Sequence, residues 1–439
     1  MAGRVVVLGG GSSGEAFAGA LRRLDDRVPI TLIERELVGG SCSYFACMPS
    51  KTLLRPVELV HEAGRAPGVT GATLDAGRVF WWRDQVTGGL DDSSQEKWLA
   101  ERDVELVRSG GRVVRPGVVQ SDHGEVEYDR LVVATGSSPA IPPVDGLETV
   151  DYWTNREATN ASEVPASLLV LGGGPVGCEL AQFFARMGSR VTLVDHSERL
   201  LAREDARAGK LLADVFADEG IDVVLGARVE RVEPGVRATL GDGRTLEADR
   251  MLVATGRRPN GADLGLEQLG VAVERGAVKV DERLRAADGV WAIGDVTAIA
   301  MFTHVGKYQA RVAAADMAGE DARADYRAIP RTIFTDPQIA AVGTVEGDGL
   351  VTGEWNLDAI PRTSTYERPK RPGFVKLVAD PERRVLVGAV AAGPEAGEWL
   401  QQVALAVRAE VTVDVLRDTI QPYPTFSEAV YVAARELPL

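Results

Sequence analysis

Arg4-Val5-Val6-Val7-Leu8-Gly9-Gly10-Gly11-Ser12-Ser13-Gly14 carries an apolar run into a set of spaced glycines. Arg4 to Leu8 reads as a strand, and the residues after the glycines read as a helix to Arg23. Pro29 to Ile33 reads as a second strand, closed by Glu34 twenty residues beyond Gly14. Strand, G-x-G-x-x-G, helix, strand and acid in this order form the βαβ unit that binds a dinucleotide. Gly9, Gly11 and Gly14 allow the tight turn and bring the backbone close to a pyrophosphate at the helix N-terminus, with Ser13 in the same turn. Glu34 can accept hydrogen bonds from ribose hydroxyls.

The unit recurs. Ser167 to Leu171 reads as a strand, followed by Gly172-Gly173-Gly174-Pro175-Val176-Gly177, a helix to about Met187, and a strand from Arg190 to Val194 ending in Asp195. Two such units imply two dinucleotides, and hydride transfer from one to the other. A shorter repeat accompanies them. Leu131-Val132-Val133-Ala134-Thr135-Gly136 and Met251-Leu252-Val253-Ala254-Thr255-Gly256 are apolar strands ending in small residues, where backbone can approach a ligand. Gly289-Val290-Trp291-Ala292-Ile293-Gly294-Asp295 is a further strand, and Asp295 suits either a cofactor hydroxyl or a helix N-cap.

Between the first two strands and the repeats lies Gly39-Gly40-Ser41-Cys42-Ser43-Tyr44-Phe45-Ala46-Cys47-Met48-Pro49-Ser50-Lys51. A helix is expected from Pro49 to about Ala63, because proline is favoured in a first helical turn. Cys47 then sits near a helix N-terminus, where the dipole favours thiolate. Lys51 lies one turn further on, and a bend at Cys42 can bring it within disulfide reach. The pattern points to a redox-active dithiol beside a cofactor. Two inert buried cysteines are the plainer alternative. Zinc is disfavoured, because only Cys178 and four scattered histidines remain as ligands.

The composition fits a soluble globular protein of two or three domains, with 439 residues, 26% charged and 45% hydrophobic. A formal net charge of −15 argues against nucleic acid or an anionic membrane as partner. No apolar run reaches the length of a membrane span. The start, Met1-Ala2-Gly3-Arg4, shows no signal peptide, and a single close cysteine pair suits a cytoplasmic redox protein. From about Tyr326 the pattern changes to antiparallel strands, such as Gly373 to Val378 and Val385 to Val390, with a helix from Trp399 to about Arg408. That is an α+β segment suited to subunit contact.

Taken together, these residues resemble the flavoprotein disulfide reductases, the class I pyridine nucleotide-disulfide oxidoreductases that include lipoamide dehydrogenase and mercuric reductase. The resemblance runs nearly the whole length. It rests on Cys-x4-Cys-x-Pro-Ser-Lys, both glycine-rich units, Ala254-Thr255-Gly256-Arg257-Arg258-Pro259-Asn260, the Gly294-Asp295 strand end, and Pro424-Thr425-Phe426-Ser427-Glu428. It implies an α/β fold with two Rossmann-like domains and a C-terminal α+β dimerisation domain. The expected division is 1–150 and 284–325 for FAD, 151–283 for NAD(P), and 326–439 for the interface.

The resemblance also assigns roles. Gly9, Gly11, Ser13, Gly14, Glu34, Gly40, Ser41, Thr135, Gly136, Asp295 and Thr303 would hold one FAD per subunit. Gly172, Gly174, Val176, Gly177, Asp195 and Gly256 would hold NADH or NADPH. Cys47 would be the thiolate against the flavin, and Cys42 the thiol that meets substrate. Lys51 would lie by the flavin N5, paired with Glu179. Asp195 favours NADH, because a carboxylate there repels a 2′-phosphate; Arg199 and Arg203 nearby could soften that preference. A homodimer and a small-molecule electron acceptor are the implied partners.

One departure stands out. Disulfide reductases usually end in His-x-His-Pro-Thr-x-Ser-Glu, whose second histidine is the acid–base supplied to the partner's disulfide. Here those positions read Gln421 and Tyr423, with Glu428 retained and no histidine after His304. Tyrosine is mostly neutral at pH 7 and donates a proton more readily than it accepts one. Reduction of an acceptor is therefore expected over oxidation of dihydrolipoamide. Mercuric reductase also has tyrosine here, but works with a C-terminal cysteine pair, whereas this sequence closes Glu436-Leu437-Pro438-Leu439. The alternatives are a mercuric-type metal-ion reductase, a lipoamide dehydrogenase-like enzyme, and a quinone or dye reductase in which flavin itself meets the acceptor. Tyr423–Pro424 is expected to be cis. Tyr44 and Phe45 either narrow the substrate side or pack.

Overall fold

The computed structural model describes residues 3–366 and 371–439, so the strand expected from Arg4 is described but Met1 and Ala2 are not. The chain forms two compact units. The first comprises Met1–Pro49, Trp82–Ala140 and Gly256–Asp325; the second comprises Ser50–Trp81, Ile141–Thr255 and Tyr326–Leu439.

The first unit is built on a six-stranded sheet in the order Arg285–Ala287, Val290–Ala292, Arg130–Val133, Val5–Leu8, Ile30–Glu34, Val104–Arg108. All neighbours are parallel except the edge strand Arg285–Ala287. Val5 lies between Ile30 and Arg130, and every residue of its strand is buried. Strands covered on both faces read as unbroken apolar runs, which is why these were legible without alternation. On one face Val5, Val7, Phe17, Leu21 and Leu32 pack with Ala310 and Ala314. Burial of each large apolar side chain contributes about 1.5–3 kcal/mol. On the other face Val6, Leu8, Ile33 and Leu131 meet Val113 and Val119. Those two valines come from a three-stranded antiparallel sheet, Gly111–Arg115, Val118–Ser121 and Gly124–Glu127.

The chain returns to the first unit at Gly256, because Arg257–Pro259 pairs antiparallel with Ser137–Pro139.

The second unit has a parallel sheet in the order Asp222–Val224, Arg190–Val194, Ser167–Leu171, Arg250–Val253. It also has a five-stranded antiparallel sheet, Pro330–Ile333, Gln338–Gly343, Val385–Gly393, Phe374–Asp380, Val351–Asn356. The helix expected from Trp399 is two, Ala396–Trp399 and Gln401–Arg408. With Glu428–Arg435 they cover the antiparallel sheet through Trp399, Val403, Val407, Val430 and Ala434. No helix among the described residues is long and apolar enough to cross a membrane.

Candidate active site

The first glycine turn joins Val5–Leu8 to the helix Ser12–Leu24. Gly9 has φ +105°, and a Cβ there would strike the carbonyl of Ala134; a Cβ on Gly14 would strike the carbonyl of Gly9. The second turn repeats this with Gly172, Ala254 and Gly177. In both units, therefore, the small-residue strand end packs against the glycine turn, and the two sequence repeats form one structural feature. Nothing lies within 4 Å of a Cβ built on Gly174, which leaves its backbone open to a ligand; Val176, also expected at this ligand, is 38% exposed.

Each acid closes its own turn. Gly10 N–H donates to Glu34 Oε2 at 2.6 Å, and Gly173 N–H donates to Asp195 Oδ2 at 2.5 Å. The other oxygens accept from Glu36 and Ser197 N–H, both at 2.7 Å. A carboxylate has about four acceptor positions, so both acids retain capacity for a ribose hydroxyl.

Ser13 is placed between helices: its hydroxyl sits where a Cβ on Gly294 or Gly306 would go. The helices Ser12–Leu24 and Thr303–Met317 thus approach closely at Ser13. Thr135 Oγ1 donates to Asn260 O at 2.8 Å, and Asn260 Nδ2 donates to Thr135 O at 3.0 Å. Gly136 follows with φ +67° and open space at its Cβ position, as does Gly256 with φ +123°.

Asp295 lies inside the short helix Gly294–Thr297, whose N-cap is Ile293, so the N-cap role does not apply. Its Oδ2 accepts from Ser137 Oγ at 2.6 Å, and Arg257 Nε stands 3.8 Å away. Arg257 Nε also donates to Ser137 Oγ at 2.7 Å. Ser137 and Arg257 were absent from the expected site. Their signal was position, each standing directly after the glycine that ends one copy of the short repeat.

The cysteine segment is tied to the first turn. Gly11 and Gly39 form a parallel bridge, and Gly40, with φ +60°, lies so close to Gly11 that only glycine fits. Gly40 and Ser41 begin the helix Gly40–Tyr44, which carries Cys42. The next helix is Cys47–Arg65, beginning two residues before the expected Pro49. Cys47 is therefore in its first turn.

Cys47 Sγ is 3.3 Å from Thr303 Oγ1, and Thr303 opens the helix Thr303–Met317. Two helix N-termini meet at this sulfur, a setting that favours negative charge. Cys42 and Cys47 are both thiols, not joined in a disulfide. The hydrogen bond to Cys47, then burial, then negative charge on Cys47 push the Cys42 thiol well up; Thr303 and Lys307 oppose this more weakly. Cys42 is accordingly held as the protonated partner.

Tyr44 and Phe45 are 2% and 8% exposed, so they pack and do not narrow a substrate channel.

In the second unit Lys51 Nζ pairs with Glu179 Oε2 at 2.7 Å. Glu179 is buried, not a solvated helix residue, and its Oε1 accepts from Phe334 N–H at 2.9 Å.

Tyr423–Pro424 is cis, as expected, and the Tyr423 ring is 71% exposed. Leu405, Val415 and Ile420 are also exposed. Glu428 opens the helix Glu428–Arg435, with Oε2 buried and unpartnered among the described residues. No hydrogen bond joins it to Tyr423 there. No cluster of three or more His, Cys, Asp or Glu placed to hold a metal occurs among the described residues.

Residues 3–319 match the family model of the pyridine nucleotide-disulphide oxidoreductases, and residues 329–434 match that family's dimerisation domain. The chain is 36% identical over 449 residues to a mercuric reductase of Acidithiobacillus ferrooxidans, covering 97% of this chain and 81% of that protein. It is 33% identical over 460 residues to a dihydrolipoyl dehydrogenase of Haloferax volcanii, covering 98% and 95%. The crystal structure of LpdA from Mycobacterium tuberculosis superimposes with a TM-score of 0.88 at 30% identity, covering 98% of this chain and 99% of that one. Two glycine turns, a paired dithiol and a matching dimerisation module thus agree with all three likenesses, and the chain belongs to the FAD-dependent pyridine nucleotide-disulphide oxidoreductase family.

Proposed function

We propose that this protein passes electrons from NAD(P)H, through FAD, to the Cys42–Cys47 pair and on to a small disulfide or another thiol-reactive acceptor. The observation that carries this reading is the hydrogen-bonded dithiol at two helix N-termini, with Cys47 against Thr303. The first glycine cradle suits FAD, which would be held by Gly9, Gly11, Gly14, Glu34, Gly40, Ser41, Thr135, Gly136, Asp295 and Thr303, and the family resemblance would set Lys51 by the flavin. The nicotinamide cofactor would be held at the second glycine cradle by Gly172, Gly174, Val176, Gly177 and Asp195, with Gly256 assigned to it by the resemblance. When bound, FAD accepts two electrons from the nicotinamide and delivers them to the disulfide.

The residues then work by thiol–disulfide exchange. Reduction opens the Cys42–Cys47 bond to two sulfurs, with Cys47 holding negative charge and Cys42 holding the proton. Cys42 Sγ, once deprotonated, attacks one sulfur of an acceptor R–S–S–R′. A Cys42–S–S–R bond forms, and R′S⁻ leaves as R′SH on taking a proton. Cys47 Sγ attacks Cys42 Sγ, restoring the intramolecular disulfide and releasing RSH after a second protonation. The sum is NAD(P)H, one proton and one disulfide to NAD(P)⁺ and two thiols. Tyr423 of a neighbouring subunit is the proposed proton donor to the leaving thiolate, with Glu428 beside it. The dimerisation domain at 329–434 supports the homodimer this requires.

Anaerobic titration tests the reading. Uptake of four electrons per flavin, with long-wavelength absorbance midway, is expected. Uptake of only two would remove the dithiol from the route and leave a quinone or dye reductase.

A second reading takes a soft metal ion as substrate on the two sulfurs. Tyr423 and the likeness to mercuric reductases favour it. Mercuric ion with excess thiol, compared with small disulfides as drivers of nucleotide oxidation, separates the two.

NADH is the expected reductant. Asp195 stands at the end of its strand with one oxygen on each side of the turn. Arg199, a candidate cation for a 2′-phosphate, donates instead to the carbonyls of Glu204 and Ala202 at 2.6 and 2.8 Å. The expected kcat/KM ratio favours NADH by about tenfold or more, or about 1.4 kcal/mol. Steady-state rates with both nucleotides check it, and a preference for NADPH overturns it.

A further inference from the structure

The helix Pro175–Arg186 turns Glu179, Gln182 and Arg186 to one side, at i, i+3 and i+7. All three grip the turn between Pro330–Ile333 and Gln338–Gly343, within the dimerisation-domain match. Glu179 Oε1 accepts from Phe334 N–H at 2.9 Å. Gln182, 1% exposed, uses both ends of its amide on one residue: Oε1 accepts from Asp336 N–H at 2.7 Å, and Nε2 donates to Asp336 O at 2.8 Å. Arg186 Nη2 lies 2.9 Å from Asp336 Oδ2, and Arg65 reaches the same oxygen at 3.2 Å. Burial works to raise the Asp336 carboxyl, but the charges of Arg186 and Arg65 outweigh it and hold it below the usual range.

What this clamp presents is Phe334. Its ring lies under the Lys51 ammonium, 4.7 Å from Nζ to the centroid, a cation–π distance. Its N–H fixes the carboxylate that pairs with the same ammonium. Lys51 is therefore held from two directions by one residue, and the turn that carries that residue is held two positions on, at Asp336, by Gln182. Gln182 Nε2 also donates to the Glu219 carboxylate at 3.2 and 3.3 Å, so the two shorter bonds tie the Asp336 backbone to a buried side chain that is itself anchored.

We propose that Gln182 and Phe334 are positioning residues for Lys51, so that a turn of the dimerisation domain sets where the Lys51 ammonium points. The significance for the redox centre rests on the reading above, in which Lys51 acts beside the flavin; the geometry does not.

Two measurements on the holoenzyme keep these apart. The first is the rate of Lys51 acylation by an amine reagent, followed by peptide mass spectrometry. Gln182→Ala and Phe334→Leu are expected to raise it several-fold, because the first loosens the turn that carries Phe334 and the second takes the ring away from the ammonium. Phe334→Leu keeps the N–H and much of the apolar volume, so it answers even where Gln182→Ala folds poorly. An unchanged rate in folded Phe334→Leu or Gln182→Ala protein overturns the proposal. The second is the long-wavelength absorbance of the two-electron-reduced protein. Lys51→Met should diminish it, Gln182→Ala should diminish it in part, and Gln182→Ala added to Lys51→Met should change it no further. Independent, additive losses overturn the proposal. No loss in Lys51→Met removes the role of Lys51 at the flavin, while the acylation rates still decide whether Gln182 and Phe334 position it.

Discussion

Cys42→Ser is expected to abolish reduction of disulfide acceptors while NADH-driven reduction of a flavin-reactive dye continues at the rate of the unaltered protein. The serine hydroxyl fills nearly the same space, so the fold and the glycine cradle are undisturbed. It cannot form the mixed disulfide with the acceptor, and any mixed disulfide formed by Cys47 would have no neighbouring thiol left to resolve it. Cys178, the third cysteine, is fully buried and donates to Gly173 O at 3.3 Å. Burial also pushes the Cys178 thiol well up, which keeps it inert. The effect is large because covalent exchange has no parallel route through this site. Retention of acceptor reduction in Cys42→Ser would mean that the acceptor draws electrons from the flavin directly.

The complementary change reads out the pair's electrostatics. In the native dithiol the Cys42 proton is retained by a hydrogen bond to Cys47, by burial and by negative charge on Cys47. Cys47→Ser removes the charge and weakens the hydrogen bond, leaving burial. The pH at which iodoacetamide alkylates Cys42 at half its maximal rate should therefore fall toward the ordinary thiol value of about 8.5. The sign is fixed, because both lost influences favoured the protonated form. An upward or absent shift would show that the two sulfurs do not share a proton.

Much of the fold was legible because its decisive parts are local. The glycine turns depend on spacing within one βαβ unit, and Gly14 answers to Gly9 O inside its own turn, whereas the constraint on Gly9 comes from Ala134 at the end of a strand distant in sequence. The parallel strands announce themselves as unbroken apolar runs. Cys42, Cys47 and Lys51 were legible for the same reason, being three positions on one short segment. The helix start at Cys47 instead of Pro49 was missed because proline suits several positions of a first turn.

What could not be read was long-range. Nothing near Thr303 states that its hydroxyl will reach Cys47, 256 positions away in sequence. Glu34 and Asp195 were read as ribose ligands, but their closure of their own turns depends on side-chain rotamers that spacing does not fix. Gln182 looks like any polar helix residue until Asp336 is brought to it by the antiparallel sheet. Tyr44 and Phe45 left two readings open because aromatic residues between two cysteines suit a channel wall as well as a core; their burial decides it.

Tyr423→Phe is expected to lower kcat/KM for the acceptor by about 10²-fold or more, in keeping with loss of one positioned proton donor. Flavin reduction by NADH should be unchanged, because the variant keeps the ring and removes only the hydroxyl. The single chain leaves that ring 71% exposed, and Leu405, Val415 and Ile420 are exposed as well. If Tyr423 serves the neighbouring subunit, heterodimers resolve it. A dimer of one Cys42→Ser chain and one Tyr423→Phe chain has one site with both defects and one site with neither, so about half the activity returns. If Tyr423 served its own chain, both sites would be defective and no activity would return. An undiminished rate in Tyr423→Phe itself would leave the ring as packing at the subunit contact. Tyr423→His extends the argument in the other direction. Histidine accepts protons near neutral pH where tyrosine does not, so this variant should gain dihydrolipoamide oxidation. Because Tyr44 and Phe45 are packed away from solvent, they give no reason for lipoamide to be excluded; absence of a gain would place the barrier elsewhere, at the way into the dithiol or in the partner's tail.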